Sequence, residues 1–169
     1  MKLNQPSIIL VRPQLPENIG MVARVMNNFN LKDLIIVSPR EKWPNKKSVE
    51  SSKQAKTIIK NTKVFNSLNL ALSPFHYVIA TSARKRFLQK PHQNSFSLLF
   101  KQIPVNKNIA LIFGPENSGL SNEHLMLCDS IFSICLPKQN QSLNLSHSVL
   151  IMAYKWQEYF NKPKKIIKK

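Results

Sequence analysis

The sequence is short of four things that globular chains of its size usually contain: glycine, cysteine, acidic residues and long apolar runs. Its 169 residues include 3 glycines, 2 cysteines and 8 acidic residues, against 25 lysines and arginines. The apolar runs, such as Ile8–Val11 and Ile109–Phe113, are far shorter than the roughly 20 residues that span a membrane. The first residues also lack the apolar segment of a signal peptide. We therefore expect a soluble cytoplasmic protein with no membrane partner.

The scarcity of cysteine argues against a metal or redox centre. Cys128 and Cys135 are too few for a tetrahedral zinc site, and they are not spaced as a Cys-x-x-Cys pair. We expect no metal and two reduced thiols in the core.

The scarcity of acidic residues leaves a net charge of +17. Part of this charge reflects a composition rich in lysine and asparagine, but a domain so basic still attracts polyanions through counterion release. Nucleic acid is therefore the first partner to expect. The length predicts one domain over residues 1–161, followed by a frayed basic tail over Lys162–Lys169.

Short, continuously apolar segments alternate with segments of helical periodicity. This alternation predicts an α/β domain whose parallel sheet is covered on both faces. The predicted strands are Ser7–Arg12, Leu34–Val37, His76–Ala80, Ile109–Phe113 and Ile131–Leu136. The predicted helices are Asn18–Phe29, Ser48–Lys60, Ser67–Leu72, Ser95–Gln102, a short helix from Ser121, and Leu145–Asn161.

The three glycines fall in two stretches, PENIGMVAR around Gly20 and FGPENSGL around Gly114 and Gly119. Glycine is needed where φ is positive or where a neighbour lies too close for a Cβ. We expect Gly20 to leave room for a group that Arg24 addresses, and the second stretch to press its backbone against a ligand. Neither stretch is a P-loop or a dinucleotide fingerprint.

Each stretch also has a purely structural interpretation. Asn18 would be a helix N-cap, Arg24 a surface cation, and Glu116 the carboxylate cap of a tight turn. In a third stretch, Ile134–Ser146, Ser142 and Asn144 would cap the last helix. Trp156 on that helix is expected in the core or a subunit interface. The scattered histidines and the missing Gly-x-Ser-x-Gly elbow give no support to a Ser-His-Asp triad.

Together and in this order, three motifs resemble the SpoU (TrmH-type) family of RNA ribose 2′-O-methyltransferases in the SPOUT superfamily. The motifs are Asn18-Ile-Gly-x-x-x-Arg24, Phe113-Gly-Pro-Glu-x-x-Gly-Leu120 and Ser142-Leu-Asn-Leu-Ser146. The resemblance covers about residues 6–160. Thr81-Ser-Ala-Arg84 looks most like the TrmJ branch, whose members methylate tRNA.

The resemblance implies a single-domain α/β knot, with a deep trefoil knot near the C-terminus. It also implies that the knot loops hold S-adenosyl-L-methionine mostly through backbone groups. Carried onto this sequence, the cofactor-binding residues are Thr81, Ser82, Ala83, Gly114, Gly119, Ile134, Leu136, Gln141, Ser142 and Leu143.

The same resemblance makes Arg24 the residue that acts on the ribose 2′-hydroxyl, with Asn18, Glu116, Ser142 and Asn144 completing the site. Family members are homodimers whose site lies at the interface. Because the pKa of arginine stays above about 12, we expect Arg24 to orient the hydroxyl and stabilise developing negative charge. Removal of the proton is left unassigned.

Several alternatives stay open. Asn30 stands where many relatives have glycine, a change that asparagine tolerates because it accepts left-handed geometry. The length also fits the single-domain relatives that modify the anticodon wobble position, and ribosomal RNA is a further substrate. A second function class is a non-catalytic RNA-binding or ribosome-assembly protein that keeps the fold. A Rossmann-type nucleotide enzyme ranks last, because Pro13–Pro16 replaces its glycine-rich turn.

Overall fold

The computed structural model describes residues 5–82, 90–137 and 143–160. In this part of the chain a single sheet contains seven strands, all pairing in parallel. They are β1 (Ser7–Val11), β2 (Leu34–Val37), β3 (Lys63–Phe65), β4 (Tyr77–Thr81), β5 (His92–Gln93), β6 (Ile109–Phe113) and β7 (Ser130–Phe132). Their order is β3-β2-β1-β6-β4-β7-β5, and the predicted parallel α/β class is confirmed.

Helices cover both faces of the sheet. They are α1 (Pro16–Asn28), α2 (Lys46–Ser52), α3 (Lys56–Lys60), α4 (Leu68–Leu72), α5 (Phe96–Gln102), α6 (Asn122–Met126) and α7 (Leu145–Phe160), with a 3₁₀ turn at Lys53–Ala55.

Burial on both faces explains why the central strands are continuously apolar. In β1, Ile8 and Leu10 pack into the core beneath α1, α3, α5 and α7. Ile9 and Val11 point the other way, into the core beneath α4 and α6. Each strand of the sheet interior thus contributes to two cores, and no position is left for a polar stripe.

The boundaries differ from the sequence prediction where backbone geometry overrides the apolar pattern. Helix α1 begins at Pro16 rather than Asn18, because proline suits the first helical position. The predicted helix Ser48–Lys60 begins at Lys46 and is broken at Lys53, whose φ is +51°. Strand β7 ends at Phe132, short of the predicted Leu136.

The sequence prediction missed the two edge strands. Among the described strands, β3 pairs with β2 alone and β5 pairs with β7 alone. Both are very short and partly exposed, and β5 consists of His92 and Gln93 alone. Neither has the apolar run by which the central strands were recognised.

Asn30 ends α1 in the way expected of a glycine substitute. Its φ is +56°, its amide donates to Asn27 O at 3.2 Å, and the Leu31 amide donates to Met26 O at 2.8 Å. This pair of bonds is a Schellman motif, with buried Met26 and Leu31 supplying the apolar contact that accompanies it. The expectation that asparagine accepts the left-handed position is confirmed.

The two cysteines lie in different environments. Cys128 is buried, as expected, and burial raises the pKa of its thiol to about 12. Cys135 is exposed, so its expected place in the core was wrong.

Trp156 lies in the core, where it packs edge-on against Phe100 with ring centroids 5.6 Å apart. Among the described residues no helix has both the length and the apolar composition to cross a lipid bilayer.

Candidate active site

The site forms where β1 and β6 lie side by side. β1 pairs with β2 on one flank and with β6 on the other, so the chain leaves β1 towards one half of the sheet and returns to build the other half. In open parallel sheets, ligands bind at the carboxyl edge of such a switch point. Here the loop 12–15 follows β1 and the loop 114–121 follows β6.

Glu116 ties these two loops together. Its Oε2 accepts a hydrogen bond from the Gln14 amide at 2.8 Å, and its Oε1 accepts from the Leu15 amide at 3.3 Å. Oε1 also accepts from Asn18 Nδ2 at 2.8 Å. Both carboxylate oxygens are therefore occupied by the start of α1. Glu116 acts as a cap, as the structural interpretation proposed, but the amides it caps belong to another loop.

Asn18 is also hydrogen-bonded to the third motif. It is 3% exposed, and its Oδ1 accepts from Asn144 Nδ2 at 3.1 Å. Asn144 Oδ1 in turn accepts from the Ser146 amide at 2.8 Å and from the Ser146 hydroxyl at 2.7 Å. Asn144 is thus the predicted cap of α7, whereas Asn18 lies inside α1, so its interpretation as an N-cap was wrong.

We call Glu116, Asn18, Asn144 and Ser146 the motif network. It joins the three sequence motifs through side chains that are far apart in the chain and close in the fold. Because a buried polar group left without a partner costs free energy, the network fixes how the three motifs face one another.

The two glycines of the loop after β6 have different roles. A Cβ on Gly114 would collide with the backbone of Gly119 and Leu120, so the loop folds back on itself at this point. Gly119 has a φ of +68°, and nothing lies within 4 Å of where its Cβ would be. Of these two glycines, only Gly119 therefore combines the left-handed conformation that favours glycine with an open approach for a ligand.

Gly20 does not leave room for a partner of Arg24. A Cβ there would collide with Ser51 Oγ and with the Ser48 carbonyl, and would lie 2.8 Å from the Ser52 amide. The space is taken by α2, which packs directly on α1. The expectation for Gly20 was wrong, and the reason is close helix packing.

Arg24 is exposed on α1. Within the described ranges it makes no hydrogen bond or ion pair, and it lies apart from the motif network. Along an ideal helix, six residues turn the direction of a side chain by about 240°. This rotation places Asn18 inward and Arg24 outward.

The carboxyl ends of β4 and β7 form a second part of the edge. Thr81 Oγ1 donates to Ile112 O of β6 at 3.0 Å, and the Ser82 amide donates to Phe132 O at 3.0 Å. Ser133 Oγ donates to Ser82 O at 2.6 Å and lies 2.8 Å from His92 Nε2. Because the hydroxyl hydrogen points to Ser82, His92 Nε2 is the donor in the second contact.

The cofactor residues expected from the resemblance fall into three groups. Thr81 and Ser82 end β4, Gly114 and Gly119 follow β6, and Ile134 and Leu136 follow β7, so these six lie at the carboxyl ends of three neighbouring strands. Leu143 precedes α7 and is partly exposed. Ala83, Gln141 and Ser142 lie outside the described residues, as do Arg84, the Lys162–Lys169 tail and the segment 138–142.

Arg12 and His124 lie close to the loop after β6. Ser121 and His124 form a capping box at α6, in which the Ser121 amide donates to His124 Nδ1 at 3.3 Å and the His124 amide donates to Ser121 Oγ at 3.2 Å. Burial, and then the Arg12 guanidinium, lower the pKa of His124. His124 is therefore held neutral, as an acceptor at Nδ1. No group of residues that could hold a metal ion occurs in the described ranges.

Sequence reasoning missed Gln14 and Ser133. Gln14 supplies an amide to Glu116, and Ser133 joins β4, β5 and β7. Their only sequence signal is position, because each lies within three residues of a strand's carboxyl end.

The chain is similar to known proteins over nearly its whole length. The model of the family described as "SpoU rRNA Methylase family" matches residues 5–154. The tRNA (cytidine-2′-O-)-methyltransferase TrmJ of Methanocaldococcus jannaschii is 34% identical over 151 residues, which are 88% of this chain and 65% of that protein. The chain therefore spans just under two thirds of this curated relative.

Solved structures share the fold. The crystal structure of TrmJ from Z. mobilis is 35% identical with a TM-score of 0.84, covering 95% of this chain and 72% of that one. The SpoU methyltransferase AviRb from Streptomyces viridochromogenes, solved with AdoMet, is 20% identical with a TM-score of 0.73, covering 96% and 63%. This last likeness concerns the fold alone. With the family model matched from β1 into α7, across all three motifs, the chain belongs to the SpoU rRNA methylase family.

Proposed function

We propose that this protein is an S-adenosyl-L-methionine-dependent RNA methyltransferase that acts on the ribose 2′-hydroxyl, with tRNA as its substrate. The observation that carries the proposal is the motif network. It connects all three family motifs at the carboxyl edge of the β1–β6 pair, next to the loop that contains Gly114 and Gly119.

The exposed carboxyl edge fits a cofactor held through backbone groups. The open approach at Gly119 lets a ligand lie against the chain where any other residue would place a side chain. Partly exposed Ile134 and Leu136 add apolar surface at the end of the neighbouring strand. The bound cofactor would supply a methyl group made electrophilic by the sulfonium. AviRb, which shares the fold, was solved with AdoMet.

Arg24 is the proposed catalytic residue. Its guanidinium is exposed and has no carboxylate partner in the described part of the chain, so its donors are available for the ribose and its phosphate. There it would orient the 2′-oxygen and stabilise the negative charge that develops on it. The motif network would position these loops without touching the ribose, which makes Glu116, Asn18 and Asn144 positioning residues. We propose that Ser142 completes the site together with these three residues.

We further propose a homodimer that completes the site. On the face formed by α1 and α7, Leu150 and Tyr154 are 39% and 51% exposed, and Phe29 packs edge-on against Tyr154. A second copy on this face would cover these apolar side chains and bring its own loops towards Arg24. This explains why Arg24 lies apart from the network within one chain. A deep trefoil knot near the C-terminus and a cytoplasmic location are proposed with it.

The substrate follows from charge and from the named relatives. A net charge of +17 favours RNA through counterion release. The relative from Methanocaldococcus jannaschii is named for 2′-O-methylation of cytidine in tRNA, which supports tRNA ahead of rRNA.

The test is transfer of labelled methyl from S-adenosyl-L-methionine to unmodified total tRNA and, separately, to rRNA, followed by nuclease digestion and identification of the nucleoside. We expect a 2′-O-methylated nucleoside from tRNA. Label from rRNA alone would overturn the substrate. A lack of transfer to both pools together with a lack of cofactor binding in calorimetry would favour the non-catalytic RNA-binding alternative.

A further inference from the structure

A cleft outside the motif network opens between the loop after β1 and the start of α2. It encloses about 410 Å³, which is within the range of about 300–1,000 Å³ typical of small-molecule sites. Three cations and two amide side chains lie around it, together with Leu15, Pro16 and two carboxylates. The polar lining residues are Gln14, Glu17, Arg40, Glu41, Asn45, Lys46 and Lys47.

Arg40 makes two contacts in this cleft, and both are to neutral acceptors. Its amide donates to Pro13 O at 3.2 Å, and its Nη1 donates to Gln14 Oε1 at 3.4 Å. Gln14 Nε2 donates to Arg12 O at 2.9 Å, which turns the amide oxygen of Gln14 towards Arg40. Within residues 5–82, 90–137 and 143–160 no carboxylate lies within 4.0 Å of its guanidinium. The partner of the cation is therefore a neutral acceptor, and Arg40 lines the cleft.

The other two cations are held only by exposed ion pairs. Lys47 lies 3.2 Å from Glu17, and Lys46 lies 3.8 Å from Glu50. Exposed pairs of this kind contribute little free energy, so both ammonium groups can turn to a phosphate at small cost. Leu15, 53% exposed, offers an apolar surface on the same cleft. A phosphate beside a flat or apolar group is the chemistry of a nucleotide.

The cleft is connected to the motif network through Gln14. The side chain of Gln14 accepts from Arg40, while its backbone amide donates to Glu116 at 2.8 Å. Whatever Arg40 holds therefore lies against the loop that Glu116 fixes.

We propose that this cleft binds a nucleotide of the RNA that neighbours the methylated one, with Arg40 on its phosphate and Leu15 against its sugar or base. The inference rests on the proposed function and adds a second point of attachment for the substrate. By holding the strand on the α2 side of the loop after β1, the cleft would set which ribose reaches Arg24.

The experiment compares Arg40→Ala with Lys32→Ala, since both remove one exposed positive charge. Lys32 precedes β2 and Arg40 follows it, so the two residues lie near opposite ends of that strand. Binding of the full chain to unmodified tRNA is measured by fluorescence anisotropy over a salt series. Methyl transfer gives KM and kcat for the same variants, and thermal unfolding verifies that each variant folds.

For Arg40→Ala we expect about tenfold weaker binding and a plot of log affinity against log salt that is shallower by about one unit. The KM for tRNA should rise with little change in kcat. Lys32→Ala should match the unaltered chain. Arg40→Lys should restore the salt slope but not the full affinity, because an ammonium lacks the planar fork of the guanidinium.

Two outcomes would overturn the inference while leaving the proposed function intact. One is tRNA binding by Arg40→Ala equal to that of the unaltered chain. The other is an equal loss for Arg40→Ala and Lys32→Ala, which would mean that only net charge matters. If the unaltered chain fails to bind tRNA, the proposed substrate itself is wrong, and the cleft assignment is rejected with it.

Discussion

The motif network and two exposed arginines, Arg24 and Arg40, lie in opposite environments. Asn18 is 3% exposed and bonded on both sides, whereas Arg24, six residues later on the same helix, is exposed and unbonded within the described chain. Glu116 has both oxygens occupied, whereas Arg40 has a neutral partner. The contrast separates residues that shape the edge of the sheet from residues that are free to meet a substrate. Variants on the two sides should fail in different ways.

The largest effect on activity without an effect on stability is expected at Arg24. Arg24→Ala removes the proposed donor to the developing negative charge, so methyl transfer should fall by about 10²–10³. The free energy of unfolding should stay within about 0.5 kcal/mol of the unaltered chain. The measurements are single-turnover methyl transfer and urea unfolding.

Asn27→Ala, at another exposed position of α1, is the matched control and should retain turnover. Ordinary turnover by Arg24→Ala would rule out its catalytic role. A large loss of stability would place Arg24 with the structural residues instead.

Glu116 should show the reverse pattern. Glu116→Ala leaves two backbone amides and the Asn18 amide without their acceptor, so the free energy of unfolding should fall by about 2–3 kcal/mol. Urea unfolding measures this, with Glu50→Ala as the control because Glu50 makes one exposed ion pair.

Glu116→Gln sharpens the same point. Its NH₂ group would face a backbone donor, so this variant should also lose stability although its shape is nearly unchanged. A Glu116→Gln protein as stable as the unaltered chain would show that the carboxylate is not needed as a double acceptor.

Substitution of Gly20, like that of Glu116, should lower the stability of the fold. Gly20→Ala forces α1 away from the backbone of α2 and should cost about 1–2 kcal/mol, although alanine favours helices by about 1 kcal/mol over glycine. Thermal unfolding beside Asn27→Ala, which changes propensity without a clash, measures the difference. A more stable Gly20→Ala protein would mean that the two helices can separate freely.

The smallest effect is expected from the titration of His124. Burial lowers its pKa below the ordinary value of 6.5, so between the folded and unfolded pKa values the unfolded chain binds more protons. Its contribution to stability is therefore complete above about pH 6.5 and declines as the pH falls from there towards the folded pKa. Because this ring is only partly buried, solvent screening keeps the expected change in stability small.

His124→Gln keeps an acceptor for the Ser121 amide but cannot titrate. Urea midpoints at pH 7.5 and pH 5.5 should differ less in this variant than in the unaltered chain. Equal pH dependence in both proteins would show that the capping box does not sense protonation.

The sequence identified the parts of the site better than their roles. Glu116, Asn18 and Asn144 were singled out by three motifs, and the structure joins them by hydrogen bonds. That Glu116 caps a loop about a hundred residues earlier could not be predicted, because this contact depends on β6 pairing beside β1. Gly20 was misjudged for the same reason, since no local pattern indicates that α2 packs on it.

Local chemistry was enough wherever one segment settles its own structure. The apolar runs determined the central strands, and asparagine at position 30 determined how α1 ends, because both depend on near neighbours in the chain. The order of the strands, the edge strands β3 and β5, and the meeting of three distant motifs were decided by the tertiary structure alone. Hydrogen bonds such as Asn18 to Asn144 join residues 126 positions apart, and only a sheet packed on both faces brings such residues within reach.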